Sequence, residues 1–281
     1  MKNLIERSIT GVLFVIVLVG AIMLSEAASS ILFFIISFFC LWEFYNLFDS
    51  TDVRPQKKLG ITAGLIFYIA SVLTIRGTLS EAPLTFIIPL FFIVFIVELY
   101  RKSVHPISNI AFTFLGVIYI SLPISLLYSL AYFNNETFGL VYNYQVLLGY
   151  FFILWANDTA AYFIGSRFGK RKLFPSISPK KSWEGSIGGA TFGIITSVVN
   201  YFLFPNISLW IWIGIGLIVV VFGSLGDLIE SLFKRRLGIK DSGKILPGHG
   251  GVLDRFDGIF ISAPLVYIFL KIISLFLIAP Y

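Results

Sequence analysis

The sequence predicts an all-α polytopic membrane protein, and three observations carry that reading. Hydrophobic residues make up 57% of the 281-residue chain and charged residues only 13%, against about 25% charged in a soluble domain. The apolar residues lie in long continuous runs, whereas an outer-membrane barrel shows alternating strands of about ten residues. Lys and Arg gather between alternate runs, as they do on one side of a membrane. With a mean hydropathy of +0.91, a soluble globular domain, a disordered chain and a disulfide-rich module are all excluded.

A bilayer core of about 30 Å calls for about 20 apolar residues per helix. That ruler predicts about nine transmembrane helices, at roughly 8–25, 29–48, 59–76, 83–100, 109–132, 146–165, 185–205, 207–228 and 258–279. The third is the weakest, interrupted by glycines and a serine. The first follows Lys2 and Arg7 and precedes Ala27 and Ala28, as a secretory signal would, but the later spans fit an uncleaved first helix. With the N-terminus in the cytoplasm, 19 of the 21 Lys and Arg face that side; Arg76 lies outside and Lys271 within the last span. Nine spans leave the C-terminus outside. The lone cysteine, Cys40, allows no intrachain disulfide, and with only His105 and His249 beside it no structural zinc site is expected.

No internal repeat or soluble domain is visible. The expected organisation is a scaffold of about five transmembrane helices over 1–133 and a catalytic transmembrane region over 134–281, with rich cytoplasmic loops at 166–184 and 229–257. Glu43 and Glu98, near the cytoplasmic ends of scaffold spans, receive no role.

The loop at 229–257 combines three ingredients. Lys234, Arg235, Arg236, Lys240, Lys244 and Arg255 supply positive charge. Gly243, Gly248, Gly250 and Gly251 let the backbone approach a ligand and turn N–H groups toward an anion. Asp241, Asp254 and Asp257 supply hard oxygen ligands for Mg²⁺. Together they fit a phosphorylated substrate with its metal. A loop that is basic only to fix topology explains the Lys and Arg but not Pro-Gly-His-Gly-Gly beside aspartates. His249, between glycines, is a candidate phosphate ligand or proton carrier on weak evidence.

Carboxylates at the membrane edge add to this. Asp158 lies in the sixth span, and Asp227 and Glu230 end the eighth. An ionised carboxylate there costs about 2.5–3.5 kcal/mol and needs a cation, a partner or water. Asp227 and Glu230, three residues apart, share a helix face, as do Asp254 and Asp257 if helical. All four are expected near the cytoplasmic side and able to converge on one metal. Structural ion pairs are the competing reading.

In the loop at 166–184, Ser182 is the expected N-cap of the seventh helix, with Glu184 in its first turn. That helix start, beside Lys180 and Lys181, is a candidate phosphate site, with Ser176, Ser178 and Ser182 as hydroxyl donors. An ordinary capped helix with topogenic lysines explains the segment equally well. Gly185, Gly189 and Gly193 follow at four-residue spacing and predict a close helix-packing face.

Ser231 to Asp257 resembles the signature of the phosphatidate cytidylyltransferase, or CDP-diacylglycerol synthase, family. The pattern is Ser, then Lys-Arg, Lys-Asp-Ser-Gly, Pro-Gly-His-Gly-Gly and Asp-Arg-x-Asp, and every part of it is present here. Asp158-Thr-Ala-Ala-Tyr162 through Gly165, Phe168-Gly169 and Ser178-Pro-Lys-Lys-Ser182 to Glu184-Gly185 adds a second similarity, and Gly226-Asp-Leu-Ile-Glu-Ser231 a third. The match covers about the C-terminal half.

The resemblance implies an enzyme that makes CDP-diacylglycerol and pyrophosphate from CTP and phosphatidic acid, by metal-assisted in-line attack on the α-phosphate. It implies Mg²⁺ at Asp227 and Asp254, with K⁺ beside it; Asp158 and Asp257 are expected either as further ligands or as supports behind those ligands. Lys240 and Asp241 join the catalytic set. Lys234, Arg235, Lys244, His249, Gly250, Gly251 and Arg255 would receive the triphosphate, and Ser178, Lys180, Lys181 and Ser182 the lipid phosphate or the cytidine. A homodimer in the lipid bilayer is implied, in the bacterial inner membrane, its site facing the cytoplasm, with no nucleic-acid partner. Two other readings compete: a CTP-dependent lipid or isoprenoid-alcohol kinase, and more remotely an ion-coupled transporter, for which broken helices and internal repeats would be expected.

Overall fold

A computed structural model describes residues 2–80, 83–134, 136–243, 245 and 250–278. In chain order the elements are α1 (Lys2–Leu24), α2 (Glu26–Asn46), α3 (Lys57–Ile75), α4 (Pro83–Arg101), α5 (Pro106–Gly116), a π turn (Val117–Ser121), α6 (Leu122–Ser129) and a 3₁₀ turn (Leu130–Tyr132). There follow β1 (Phe133–Asn134), β2 (Thr137–Phe138), α7 (Gln145–Phe168), β3 (Lys172–Phe174), β4 (Ser178–Ser182), α8 (Trp183–Leu203), α9 (Leu209–Arg236), α10 (Leu253–Phe256) and α11 (Ile259–Ile278).

The chain is an all-α polytopic membrane protein. Among the described residues seven helical stretches are long and apolar enough to cross a bilayer: Glu26–Asn46, Lys57–Ile75, Pro106–Tyr132, Gln145–Phe168, Trp183–Leu203, Leu209–Arg236 and Leu253–Phe276. The expected third span is among them. The expected first and fourth spans are the helices α1 and α4, which fall outside the seven. The contacts divide the chain into two compact units, one of 1–128 with 236–256, the other of 129–235 with 257–281. The signature segment up to Phe256 thus groups with the N-terminal helices.

In the first unit, α2 starts at Ser25, whose hydroxyl accepts the Ala28 amide at 3.1 Å. Arg76, at the end of α3, pairs with Glu26 at the start of α2, so the two helices run antiparallel. At their other ends Lys57 pairs with Asp49 and reaches Asn46 Oδ1 at 3.0 Å. The span 106–132 is not one regular helix. Tyr45 packs against Gly116 where no Cβ fits, and its hydroxyl donates to the Thr113 carbonyl at 2.7 Å. That contact lies just before the π turn, a site where helices widen to admit such insertions.

Glu98, unassigned from sequence, is structural. It is buried at the end of α4 and accepts from Gln56 Nε2 (2.7 Å), Asn109 Nδ2 (2.6 Å), Arg101 (2.9 Å) and the Ser103 hydroxyl. Asn109 Oδ1 in turn accepts the Arg54 amide at 2.6 Å, and Thr113 Oγ1 accepts the Gln56 amide at 2.8 Å. This network fixes the loop between α2 and α3 against α5. It satisfies a carboxylate that would otherwise be too costly to bury.

In the second unit, α7 and α8 pack through the predicted glycine face. A Cβ on Gly185 would stand 2.8 Å from the Ala161 carbonyl oxygen, and one on Gly189 2.8 Å from that of Asn157. Only hydrogen fits there, so the two backbones come into direct contact. Buried Trp212 of α9 and Asn200 of α8 close on Gly149 of α7, where Asn200 Nδ2 donates to the Gly149 carbonyl at 2.9 Å.

Candidate active site

In the first unit, the signature loop is built around one carboxylate. Asp254 lies in the first turn of α10. It accepts the Ser242 amide at 3.2 and 3.1 Å on its two oxygens and the Gly251 amide at 2.8 Å. Gly250 has φ +81°, and a Cβ on it would stand 2.6 Å from Asp254 Oδ2. This glycine therefore serves both a left-handed turn and a close approach. Gly238, with φ +72° and open space around it, turns the chain after α9.

Beneath this loop lies Glu43 of α2, which sequence reasoning left without a role. Its Oε2 accepts the Leu253 amide at 2.8 Å and the Ser242 hydroxyl at 3.3 Å. Gly243 and Gly251 lie so close to its carboxylate that neither has room for a Cβ. The signal was present as a lone acidic residue inside an apolar span, which demands a partner. The partner could not be named, because it is about two hundred residues further along the chain. Lys240, Asp241 and Arg255 are exposed on the loop. Lys244, Gly248 and His249 lie outside the described residues.

The second unit gathers the other carboxylates. Lys181 Nζ pairs with Asp227 Oδ2 at 2.6 Å and donates to the Ser224 carbonyl at 3.0 Å. The Ser231 hydroxyl donates to Asp227 Oδ1 at 3.3 Å, closing one turn of α9. Asp257 lies within electrostatic reach of Asp227, Glu230 and Asp158. Its own Oδ1 accepts the Gly258 amide at 2.6 Å. Glu230 is buried and pairs with Lys234 at 3.0 Å, one turn further along α9. Asp158 is exposed and accepts from Asn157 Nδ2 at 3.1 Å. Arg235 is exposed one residue after Lys234.

The loop read as 166–184 contains a hairpin of β3 and β4. Glu184 holds its entry, accepting the Lys170 amide at 3.0 Å and the Arg171 amide at 3.2 Å. Ser182 is the N-cap of α8 as expected: it is buried, and its hydroxyl accepts the Gly185 amide at 3.2 Å. Strand alternation separates the two lysines. Lys180 is exposed, while Lys181 is half-buried on Asp227. Ser178 opens the same strand.

Among the described residues no three His, Cys, Asp or Glu side chains form a ready metal cluster. The donor set still fits Mg²⁺. That ion is commonly held by one or two carboxylates together with substrate phosphate oxygens and waters. Asp227 of the second unit, paired with Lys181, and Asp254 of the first, accepting the Ser242 and Gly251 amides, are each a carboxylate of that kind.

The profile of the cytidylyltransferase family matches residues 5–273. Three relatives share the name phosphatidate cytidylyltransferase. The Staphylococcus aureus protein (strain COL) is 42% identical over 185 residues, covering 66% of this chain and 68% of the relative. The Staphylococcus saprophyticus protein is 33% identical over 266 residues, covering 94% and 98%. The Bacillus subtilis protein is 31% identical over 280 residues, covering 98% and 100%.

Proposed function

We propose, on the premise that the chain belongs to the cytidylyltransferase family, that it transfers CMP from CTP to phosphatidic acid, giving CDP-diacylglycerol and pyrophosphate. The observation that carries this reading is the signature loop itself. A glycine turn holds the Asp254 carboxylate on two backbone amides, with Lys240 and Arg255 exposed beside it.

The phosphatidate phosphate oxygen forms a bond to the α-phosphorus of CTP, and the bond to the β-phosphate oxygen breaks. The nucleophile is already anionic, so no side chain need remove a proton. The protein's work is to bring two polyanions together in line. Lys240, Arg235 and Arg255, with Lys244, His249 and the turn at Gly250 and Gly251, receive the triphosphate, the Gly251 amide itself being held by Asp254. Ser178, Lys180, Lys181 and Ser182 serve the lipid phosphate or the cytidine. Lys234 neutralises Glu230, and Asp241 flanks Lys240 in the loop. Asp227 and Asp254, with Asp158 and Asp257 in support, are the residues proposed to hold Mg²⁺, with K⁺ beside it. Bound there, Mg²⁺ would neutralise charge on the attacking and leaving oxygens.

The same proposal includes nine spans in a bacterial inner membrane, the N-terminus and active site cytoplasmic and the C-terminus outside, and a homodimer. Exposed apolar side chains on α1 (Ile9, Val12, Leu13, Ile16) and on α4 (Phe92, Phe95, Ile96) support counting both helices as lipid-facing spans.

Acceptor choice tests the reaction. With labelled CTP and Mg²⁺, phosphatidic acid should be consumed while diacylglycerol and isoprenoid alcohols are not. Turnover of an alcohol acceptor with release of CDP would establish the kinase instead.

A further inference from the structure

Residues 253–256 form a single helical turn, too short to hold its own shape, because nucleating a helix costs more than one turn returns. The orientation of Asp254 is therefore imposed from outside. In the first unit, beside the Ser242 and Gly251 amides on Asp254 itself, contacts hold both ends of this turn. Phe256 is fully buried and meets Phe14 edge-on at 5.9 Å. Glu43 accepts the amide of Leu253, the first residue of the turn, at 2.8 Å.

Glu43 also accepts the Ser242 hydroxyl, while the Ser242 amide donates to Asp254. Ser242 thus bridges the two carboxylates, and Glu43 grips the signature segment on both sides of Gly250. The side chain is 3% exposed. An acidic group in an apolar helix is retained at a cost, and among the described residues its side chain meets the loop at Ser242, Val252, Leu253 and the close faces of Gly243 and Gly251. Glu98, also buried in a helix of this unit, instead ties scaffold elements together.

We propose that Glu43 is a positioning residue for the reaction: it touches no substrate, and it sets the place of Asp254 by holding Ser242 and the start of α10. This rests on the reading of Asp254 as an active-site carboxylate. Glu43 is fixed on α2, so it links the N-terminal helices to the chemistry of the signature loop.

The test uses the full chain in detergent, with Glu43→Leu, Glu43→Gln, Ser242→Ala, Glu98→Leu and Asp254→Asn. Glu43→Leu should raise hydrogen exchange in the peptides spanning 239–256 and leave those of α4 and α5 unchanged. Its kcat should fall at least about tenfold with little change in KM for CTP, as expected for a group acting only through alignment. Glu43→Gln keeps one acceptor oxygen and should restore most of both readouts. Ser242→Ala removes half of the grip and should fall between. Glu98→Leu, the structural control, should lower thermal stability without lowering the kcat of the folded enzyme.

Unchanged exchange over 239–256 in Glu43→Leu overturns the proposal. If Glu43→Leu does not fold, unchanged exchange and kcat in Ser242→Ala does the same. If exchange rises while kcat holds, Asp254→Asn separates the cases. An inactive Asp254→Asn then rejects Glu43 as a positioning residue, and an active one rejects the active-site reading of Asp254.

Discussion

Gly250 and Gly238 form a matched pair of perturbations. Both have left-handed backbones, φ +81° and +72°, and they differ in what a Cβ would meet. At Gly238 there is nothing within 4 Å; at Gly250 the Cβ would stand 2.6 Å from Asp254 Oδ2. Alanine at either site costs about 1–2 kcal/mol of backbone strain. At Gly250 the Asp254 carboxylate must also move, and it is held there by the Gly251 amide at 2.8 Å. A hydrogen bond to a charged group contributes about 1.5–3 kcal/mol. If that loss falls on the aligned state, it converts to a roughly ten- to two-hundredfold loss of rate. The assay is kcat on purified Gly238→Ala and Gly250→Ala, each with its thermal midpoint. Both midpoints should fall, Gly250→Ala further by the lost hydrogen bond, while only Gly250→Ala loses turnover on that scale. Equal turnover in the two variants would refute the claim that this turn shapes the Asp254 site.

Other outcomes follow from the same contacts. Asp227→Asn should remove nearly all turnover while the protein still folds; retained activity would break the metal assignment. Glu98→Leu strands the buried amides of Gln56 and Asn109, each at about 1–3 kcal/mol, so the midpoint should drop without a matching loss of specific activity. Gly189→Val places bulk against the Asn157 carbonyl and should destabilise the α7–α8 pair, as read by exchange in those helices. In a chain with Cys40 replaced by alanine, an impermeant maleimide should label Leu140→Cys on intact cells and Ser176→Cys only after permeabilisation. The reverse pattern would invert the proposed topology.

Seven of the nine expected spans were legible because burial in lipid needs long apolar runs, and those runs are local in sequence. The Ser182 cap and the Gly185, Gly189 and Gly193 packing face were legible for the same reason: each depends on neighbours within one or two turns. The partners of Glu43 and Glu98 were not. Glu43 meets Leu253 210 positions away, and Glu98 meets Gln56 42 positions away. The sequence marked both as costly charges in apolar helices but held no periodicity that names a partner. The break at 117–121 was hidden too, since it follows the insertion of Tyr45 from another helix. The β3–β4 hairpin lay in a segment whose basic and serine residues read equally well as loop. The candidate carboxylates were found from chemistry, while the grip of Ser242 and Gly251 on Asp254 emerged only from the folded loop.

The central claim, cytidylyl transfer to a lipid phosphate, is tested most directly by following two labels in one reaction. Purified protein, phosphatidic acid and Mg²⁺ are supplied with CTP labelled at the α- or the γ-phosphate. The account predicts α-label in the organic phase and γ-label in pyrophosphate, both absent with Asp254→Asn. Label from the γ-phosphate in the lipid, with CDP left behind, would contradict it.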